Sequence, residues 1–247
     1  MDEEQLRRIG WRGIAAFQRL IGRHAPGPPP LEHPEYVASA VPTVPASLLS
    51  SAVPIADARL APHLDAIEAY CAQSPKWGVW VDPRRTQDVQ ALERRGLVLD
   101  STPVLMAAEL TDIQPPSGDI DAERVTTLEV GHVNDIAYGA PLGVIGGALG
   151  ELPGEMIHAY GTRVDGTVAS ALFIQDVDDD AFVTMVATLP GHRGKRLASE
   201  LLAHALHEAR KRGQRTTSLQ ASKLGHNVYA RLGYQPLGEV HLYETRP

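Results

Sequence analysis

One stretch of the sequence, residues 182–213, constrains the fold more than any other. It reads FVTMVATLPGHRGKRLASELLAHALHEARKRG. Apolar and β-branched residues predict a buried strand over 182–187, and the Leu-Pro-Gly sequence at 189–191 ends it. From Leu197 the apolar residues recur at three- and four-residue steps, which predicts a helix that stops at Gly213. The chain therefore passes from strand to helix through a very short loop.

The loop between this strand and this helix has the features of an anion site. A helix N-terminus leaves backbone N–H groups unpaired and carries about half a positive charge. Gly194 lets the backbone approach an anion closely. Residues 190–215 contain seven Lys or Arg against two Glu, in a chain of net charge −7. A bound polyanion explains why cations gather where the dipole disfavours them; a solvated loop before an ordinary amphipathic helix is the alternative.

The spacing of the loop excludes two common phosphate sites and favours a third. Neither the nucleotide P-loop nor the dinucleotide GxGxxG pattern is present in this stretch. The stretch instead resembles the acyl-CoA loop of the GNAT superfamily of N-acetyltransferases, where a strand is followed by Gln or Arg, xxGx, Gly or Ala, and a long helix. Two positions depart: Gly191 stands where Gln or Arg is usual, and Arg196 replaces the second Gly. Arg196 either strengthens phosphate binding or obstructs it.

The resemblance implies acetyl-CoA as co-substrate and no metal. The strand would pair its backbone with the pantetheine arm, and one amide near Val186 would polarise the thioester carbonyl. The loop and the first helical turn would hold the pyrophosphate. The implied cofactor-binding residues are Val186, Ala187, Thr188, Arg193, Gly194, Lys195, Arg196, Leu197, Ala198 and Ser199.

A second stretch, ASKLGHNVYARLGY at residues 221–234, resembles the C-terminal signature of the same family. The resemblance implies that Tyr229 is the catalytic general acid, which protonates the thiolate as it leaves the tetrahedral intermediate. The alternative is that Tyr229 only packs beside Leu232 and Tyr234. Ser222 stands where many members carry an Asn that contacts CoA.

No general base is evident in the sequence. The strand positions where members often carry Glu offer only neutral side chains here, and Glu155, His158, His226 and the Asp176–Asp180 group fit surface positions better. The Asp group lacks the EF-hand spacing and is predicted to be a solvated hairpin tip. No base and no metal ligand are therefore named.

Composition narrows the class of protein. The chain has 247 residues, 43% of them hydrophobic, and a pI of about 5.8, which argues against general binding of nucleic acid or anionic membranes. Its single cysteine, Cys71, rules out an intramolecular disulfide. No apolar run reaches the roughly 18 residues of a membrane span, and the acidic start MDEEQLRRIG lacks a signal-peptide core. The prediction is a soluble, cytoplasmic protein.

The pattern of elements predicts an α/β fold with a mixed sheet, the GNAT-like acyl-CoA N-acyltransferase fold. Residues 1–112 are expected to form a degenerate GNAT-like or cap domain, 113–122 a linker, and 123–247 the GNAT domain. The first of these either is an echo of the same fold, since LERRGL at 92–97 parallels YARLGY at 229–234, or is an unrelated cap. Within the second, a short strand is expected at 125–129, and the Gly-rich segment 140–154 is either a mobile cover or a loose loop.

The leading hypothesis is direct transfer of an acetyl group from acetyl-CoA to a primary amine. Neither signature stretch contains Cys, which disfavours an acyl-enzyme. The alternatives are an acyl-CoA-binding sensor without turnover and, more weakly, a nucleotide-binding protein that uses the same loop. The acceptor is expected to be a small molecule or a Lys or N-terminal amine, with no nucleic-acid or membrane partner. The sequence leaves the oligomeric state open.

Overall fold

Two mixed β-sheets with helices packed against them make up the computed structural model. It describes residues 1–118, 120–150, 152–153 and 155–246. The residues outside this description are Asp119 of the predicted linker, Glu151 and Gly154 of the Gly-rich segment, and Pro247 at the end of the predicted second domain.

The two sheets contain thirteen strands among the described residues. The N-terminal sheet contains, in spatial order, β1 (Leu31–His33), β2 (Tyr36–Ala38), β3 (Ser51–Pro54), β4 (Gly78–Val81), β13 (His241–Glu244) and β5 (Val98–Ser101). The C-terminal sheet contains β12 (Gln235–Glu239), β6 (Val104–Glu109), β11 (Thr216–Ala221), β10 (Asp180–Thr188), β9 (Thr167–Val177), β8 (Ile157–Val164) and β7 (Ala122–Arg124).

Among the residues that the structure describes, seven α-helices and two short 3₁₀ turns accompany these strands. Within the described part of the chain, no helix combines the length and the apolar character needed to cross a bilayer. The helices are α1 (Glu3–His24), α2 (Leu64–Cys71), α3 (Thr86–Arg94), α4 (Thr127–Tyr138), α5 (Val144–Leu149), α6 (Leu197–Lys211) and α7 (His226–Leu232), and the 3₁₀ turns are Ala61–His63 and Pro190–His192.

The two sheets repeat one topology. Each contains three antiparallel strands, then a parallel neighbour reached through a helix, then two antiparallel strands; the C-terminal sheet has β7 as an additional antiparallel strand at its edge. The order β1-β2-β3-α2-β4-α3-β5 in the first half matches β8-β9-β10-α6-β11-α7-β12 in the second. Gly96 after α3 and Gly233 after α7 both have a positive φ, as the parallel between LERRGL and YARLGY predicts. The tandem reading of the sequence is therefore confirmed at the level of topology.

The strand that follows each repeat is exchanged between the sheets. β6 follows the first repeat in sequence but lies between β11 and β12, and β13 follows the second but lies between β4 and β5. The division of the chain at 113–122 stays a prediction about domains, but the sheets do not divide there. Each predicted domain contributes one strand to the other's sheet.

Helix α1 lies between the two sheets. It contacts β2 and β3 on one side and β6, β9, β10 and β11 on the other. Asp2 begins the helix with a capping box that includes Gln5. Gly10 and Gly13 let the helix approach Leu105 and Phe182 so closely that a Cβ at either position would collide with those side chains. The helix therefore covers one face of the C-terminal sheet.

The predicted strand over 125–129 is wrong. Thr126 and Glu129 form a capping box, so the backbone starts α4 at Thr127 instead of continuing β7. The Gly-rich segment that follows contains α5, which packs on α4. The buried Asp135 carboxylate accepts hydrogen bonds from the amides of Gly143 and Ile145 at 2.8 and 2.7 Å. This part of the segment is an ordered helical cover.

Candidate functional site

The two central strands of the C-terminal sheet part from each other halfway along. β10 and β11 run parallel and pair from Asp180↔Thr216 to Val183↔Leu219, and their pairing ends there. β10 continues along β9 to Thr188, while β11 continues along β6 to Ala221. A cleft opens where the two strands separate.

This cleft has a volume of about 1040 Å³ and lies between β10, the start of α6, and α7. The cleft is lined by Tyr229, by Ser222 and by nine of the ten residues predicted to bind the cofactor. The tenth, Lys195, is not part of the lining. Their roles stay predictions, but the structure brings them to one place. The nine are Val186, Ala187, Thr188, Arg193, Gly194, Arg196, Leu197, Ala198 and Ser199.

The loop before α6 presents unpaired backbone donors. Gly194 has φ +77° and Arg196 has φ +64°, so the chain turns tightly before entering the helix at Leu197. No described residue accepts a hydrogen bond from the N–H groups of residues 194–199. The Ser199 hydroxyl does not cap them, because it donates to the Arg196 carbonyl at 2.8 Å. Such an array of N–H groups at a helix N-terminus suits a phosphate.

The arginines of the loop already have protein partners. The Arg196 guanidinium donates to Glu200 Oε1 and to Ser117 Oγ, both at 2.9 Å, and is largely exposed. Arg193 donates to the carbonyls of Thr188 at 3.2 Å and Ala137 at 2.8 Å. These contacts favour neither the strengthening nor the obstruction of phosphate binding by Arg196, because its side chain is directed to Ser117 and Glu200. The donors that the loop turns to the cleft without a protein partner among the described residues are therefore backbone amides, since Lys195 does not line the cleft.

Tyr229 lies on α7, is buried, and lines the cleft. Burial raises the pKa of its phenol well above the ordinary value, with a smaller contribution from Tyr138, so the group stays protonated at neutral pH. Its ring packs edge-on against Tyr234 at 6.0 Å. No described residue forms a hydrogen bond with the Tyr229 hydroxyl, whereas the Tyr234 hydroxyl pairs with Thr217 at 2.7 Å. The packing alternative and the acid role are thus compatible.

None of the side chains considered as a general base lines the cleft. Glu155, His158, His226 and the Asp176–Asp180 group all lie elsewhere. His158 pairs with Asp176 at 3.0 Å, and Arg212 holds both oxygens of that carboxylate at 3.0 Å. Burial raises the pKa of Asp176, but the hydrogen bonds from His158 and Arg212 outweigh it and lower the pKa overall.

The prediction of a solvated Asp tip is correct for only part of the group. Asp178 and Asp179 are exposed at the turn between β9 and β10. Asp180 is 3% exposed and accepts hydrogen bonds from Thr216 at 2.8 Å and Ser218 at 2.6 Å. The sequence pattern missed this because Asp180 is the first residue of a central strand.

Three further features of the cleft were not apparent in the sequence. His192 lines it with a buried Nδ1 that has no partner among the described residues, and the segment 114–117 forms part of its wall. Asn134 on α4, 4% exposed, donates to the backbone carbonyl of Met185 on β10. From the sequence, Asn134 is only a polar residue in a predicted helix, because its partner Met185 lies 51 positions away and is brought close by the fold.

One cluster outside the cleft has the residue types of a metal site. His33, Glu35 and His63 lie close enough for their ligand atoms to fall within 4.8 Å of one another. However, His33 Nδ1 accepts a hydrogen bond from the Glu35 N–H at 3.2 Å, and His63 pairs with the Glu35 carboxylate at 2.6 Å. These side chains satisfy each other, and the absence of a metal stays a prediction.

Comparison with known proteins identifies the cleft-bearing region. Residues 179–237 match the family model "Acetyltransferase (GNAT) domain". A GCN5-related N-acetyltransferase from Kribbella flavida superposes with a TM-score of 0.71 at 21% identity, covering 97% of this chain and 96% of that one. One from Sphaerobacter thermophilus gives 0.60 at 16% identity, covering 88% and 83%. A GNAT-family protein from Novosphingobium aromaticivorans gives 0.56 at 16% identity, covering 93% and 95%.

These likenesses establish the fold over nearly the whole chain, including its first half. The search of curated proteins gives no significant match. The fold is that of GCN5-related N-acetyltransferases, and the region that matches the family model contains β10, α6, β11 and α7.

Proposed function

We propose that this chain, which has the GNAT fold and a GNAT acetyltransferase domain at its C-terminal end, transfers an acetyl group from acetyl-CoA to a primary amine. The observation that carries the proposal is the convergence of three features on one cleft. These are the parted strands β10 and β11, the unpaired N–H groups before and within the first turn of α6, and Tyr229.

Each feature fits one part of acetyl-CoA. The N–H groups of residues 194–199 offer donors to the pyrophosphate. The backbone of Val186, Ala187 and Thr188, freed from β11, can pair with the amides of the pantetheine arm. The thioester would then reach the region of the Val186 amide and Tyr229, where polarisation of its carbonyl and protonation of its sulfur are both needed.

The chemistry is a direct transfer. The amine nitrogen attacks the thioester carbon, and the carbonyl oxygen of the tetrahedral intermediate takes up negative charge next to a backbone N–H. As the C–S bond breaks, Tyr229 gives its proton to the thiolate, and solvent takes the proton that the amine loses. Among the described residues, the carboxylate and the imidazole that line the cleft are those of Glu200, which already accepts hydrogen bonds from Ser117 and Arg196, and of His192, whose Nδ1 is buried. No side chain is therefore assigned to that second proton.

The test measures CoA release across a panel of polyamines, aminoglycosides and Lys peptides. Tyr229→Phe is expected to lower kcat on the order of 10²- to 10⁴-fold while the Kd for acetyl-CoA stays near the wild-type value. Tyr234→Phe is the matched control, since it removes an equally buried hydroxyl that pairs with Thr217 and lies outside the cleft. An unchanged kcat in Tyr229→Phe would refute the acid role.

The same measurements separate the alternative functions. A sensor would bind acetyl-CoA but would not release CoA in the presence of any amine of the panel. It remains a candidate because no base is assigned. A nucleotide-binding protein would be stabilised thermally by ATP and not by CoA, and that result would overturn the proposal as a whole.

A further inference from the structure

β10 contains a bulge at the point where it leaves β11. Its pairing with β9 moves from Thr184↔Phe173 to Ala187↔Ala171, so that Met185 and Val186 stand opposite a single residue. Met185 has φ +55°, the left-handed region that a non-glycine residue seldom adopts. The backbone here is held in an unfavourable conformation and requires surrounding contacts to keep it.

The contact that holds the bulge comes from α4. The side-chain amide of Asn134 donates to the Met185 carbonyl at 2.8 Å and to the Val130 carbonyl of its own helix at 2.9 Å. Asn134 is 4% exposed, so this geometry is fixed by packing. Met185 packs in the same hydrophobic cluster as Val130 on α4.

Val186 faces the other way from its neighbour. Its side chain packs with the cluster that contains Leu201 and Leu202 of α6, on the opposite face of the sheet from α4. It also lines the cleft. The bulge thus places Met185 and Val186 on the two faces of the sheet.

The direction of the Met185 carbonyl fixes the direction of the next N–H group. The peptide between Met185 and Val186 is trans, as are all peptides of the described chain, so its C=O and N–H point in opposite directions. Because Asn134 draws the carbonyl towards α4, the Val186 N–H points away from α4. On that face of the sheet the cleft is walled by α6 and α7, whose residues pack in the same cluster as Val186, while the end of α4 also lines the cleft through Ala137 and Tyr138.

We propose that Asn134 is a positioning residue for the reaction, because it orients the peptide that presents the Val186 N–H to the thioester oxygen. This inference rests on the proposed acyl transfer. Asn134 itself does not touch the reacting atoms. Without its amide, the Met185 carbonyl would be buried without that donor, and the left-handed conformation would lose the contact that maintains it.

The test combines kinetics with the infrared spectrum of bound acetyl-CoA carrying a ¹³C label in its thioester carbonyl. In Asn134→Leu, which removes the amide at similar volume, we expect kcat to fall about 10- to 100-fold, less than the 10²- to 10³-fold typical when an oxyanion donor is deleted outright. The KM for acetyl-CoA should change less than threefold. The labelled carbonyl band, lowered in the wild type by the Val186 N–H, should move back towards its position in solution.

Asn134→Asp is the second variant, because it keeps the shape of the side chain while replacing the donor with an acceptor. The control is Thr127→Val, which removes another buried hydrogen-bonding side chain of α4, one that donates to the Gly150 carbonyl at 2.7 Å and accepts from the Leu152 N–H, with no hydrogen bond to β10 among the described residues. Thr127→Val should lower the melting temperature without moving the carbonyl band.

A carbonyl band that stays at the wild-type position in both Asn134 variants would overturn the inference, whatever happens to their stability. A wild-type protein that binds labelled acetyl-CoA and turns over an amine, but shows the band at its solution position, would also overturn it and leave the proposed function standing. Failure of the wild type to bind acetyl-CoA would refute the proposed function, and this inference with it.

Discussion

Replacement of Gly194 by glutamate tests the anion site most directly. Gly194 has φ +77° and lines the cleft, and a Cβ built on it meets no atom within 4 Å. The new side chain therefore fits sterically, and its effect must come from backbone conformation and from charge. We expect Gly194→Glu to abolish CoA binding under ordinary assay conditions.

The magnitude follows from these two contributions. An L-residue in the left-handed region costs roughly 1–2 kcal/mol, which either destabilises the loop or must be supplied on binding. A carboxylate about 4 Å from one phosphate charge adds roughly 1 kcal/mol in water and about 4 kcal/mol at the effective dielectric constant of a protein surface. Together they predict a rise in the Kd for CoA of roughly 30-fold to 10⁴-fold.

Isothermal titration with CoA measures this effect, and two variants separate its causes. Gly194→Ala introduces only the backbone contribution and should raise the Kd about 5- to 30-fold. Gly191→Glu adds the same charge three residues away, where φ is not positive and the residue does not line the cleft, so its Kd should stay within a few-fold of wild type. High salt should recover part of the affinity of Gly194→Glu, because screening weakens only the charge contribution.

Wild-type affinity for CoA in Gly194→Glu would refute the assignment of this loop. So would an equal loss in Gly191→Glu, since a general electrostatic effect would then explain both. A loss in Gly194→Ala as large as that in Gly194→Glu would show that conformation alone carries the effect.

Two further predictions concern stability. Burial raises the pKa of Asp180 to about 6 from its ordinary 3.8, against the hydrogen bonds from Ser218 and Thr216. The contribution of Asp180 to stability is therefore greatest below about pH 4 and is lost as the pH rises through 6. In urea unfolding at pH 7, Asp180→Asn should be about 1–3 kcal/mol more stable than the wild type, and the exposed Asp178→Asn should be unchanged. The fragment 123–247 lacks β6, the strand between β11 and β12, and should show no cooperative thermal transition; cooperative unfolding together with CoA binding by that fragment would contradict the sheet order.

The sequence predicted those parts of the fold whose determinants are local. The strand, loop and helix over 182–213 could be predicted because a continuous apolar run typical of a buried strand is followed there by the spacing of apolar residues typical of an amphipathic helix. Asp165-Gly166, a pair typical of two-residue hairpin turns, joins β8 to β9, and both residues adopt the positive φ that such a turn requires. Nine of the ten predicted cofactor residues line one cleft for the same reason, since all but three of the ten belong to one continuous loop and helix start.

One failed prediction overlooked a local signal, and the other features that were missed depended on partners distant in sequence. Residues 125–129 resemble a strand by composition, and the Thr126–Glu129 capping box, although readable, outweighed that composition. The hydrogen bond from Asn134 to Met185 and the burial of Asp180 join segments whose proximity follows only from sheet order. The exchange of β6 and β13 has no local signal, because both strands fit either sheet by composition.

That exchange also bears on how the protein is made. During synthesis the N-terminal sheet lacks the strand between β4 and β5 until residues 241–244 have left the ribosome, although every other strand of that sheet precedes residue 102. The edges of β4 and β5 stay open over that interval, and β6, already synthesised, has no partner until β11 and β12 follow. Nascent chains of this topology therefore carry unpaired strands through most of translation, a period in which chaperones protect such edges from aggregation.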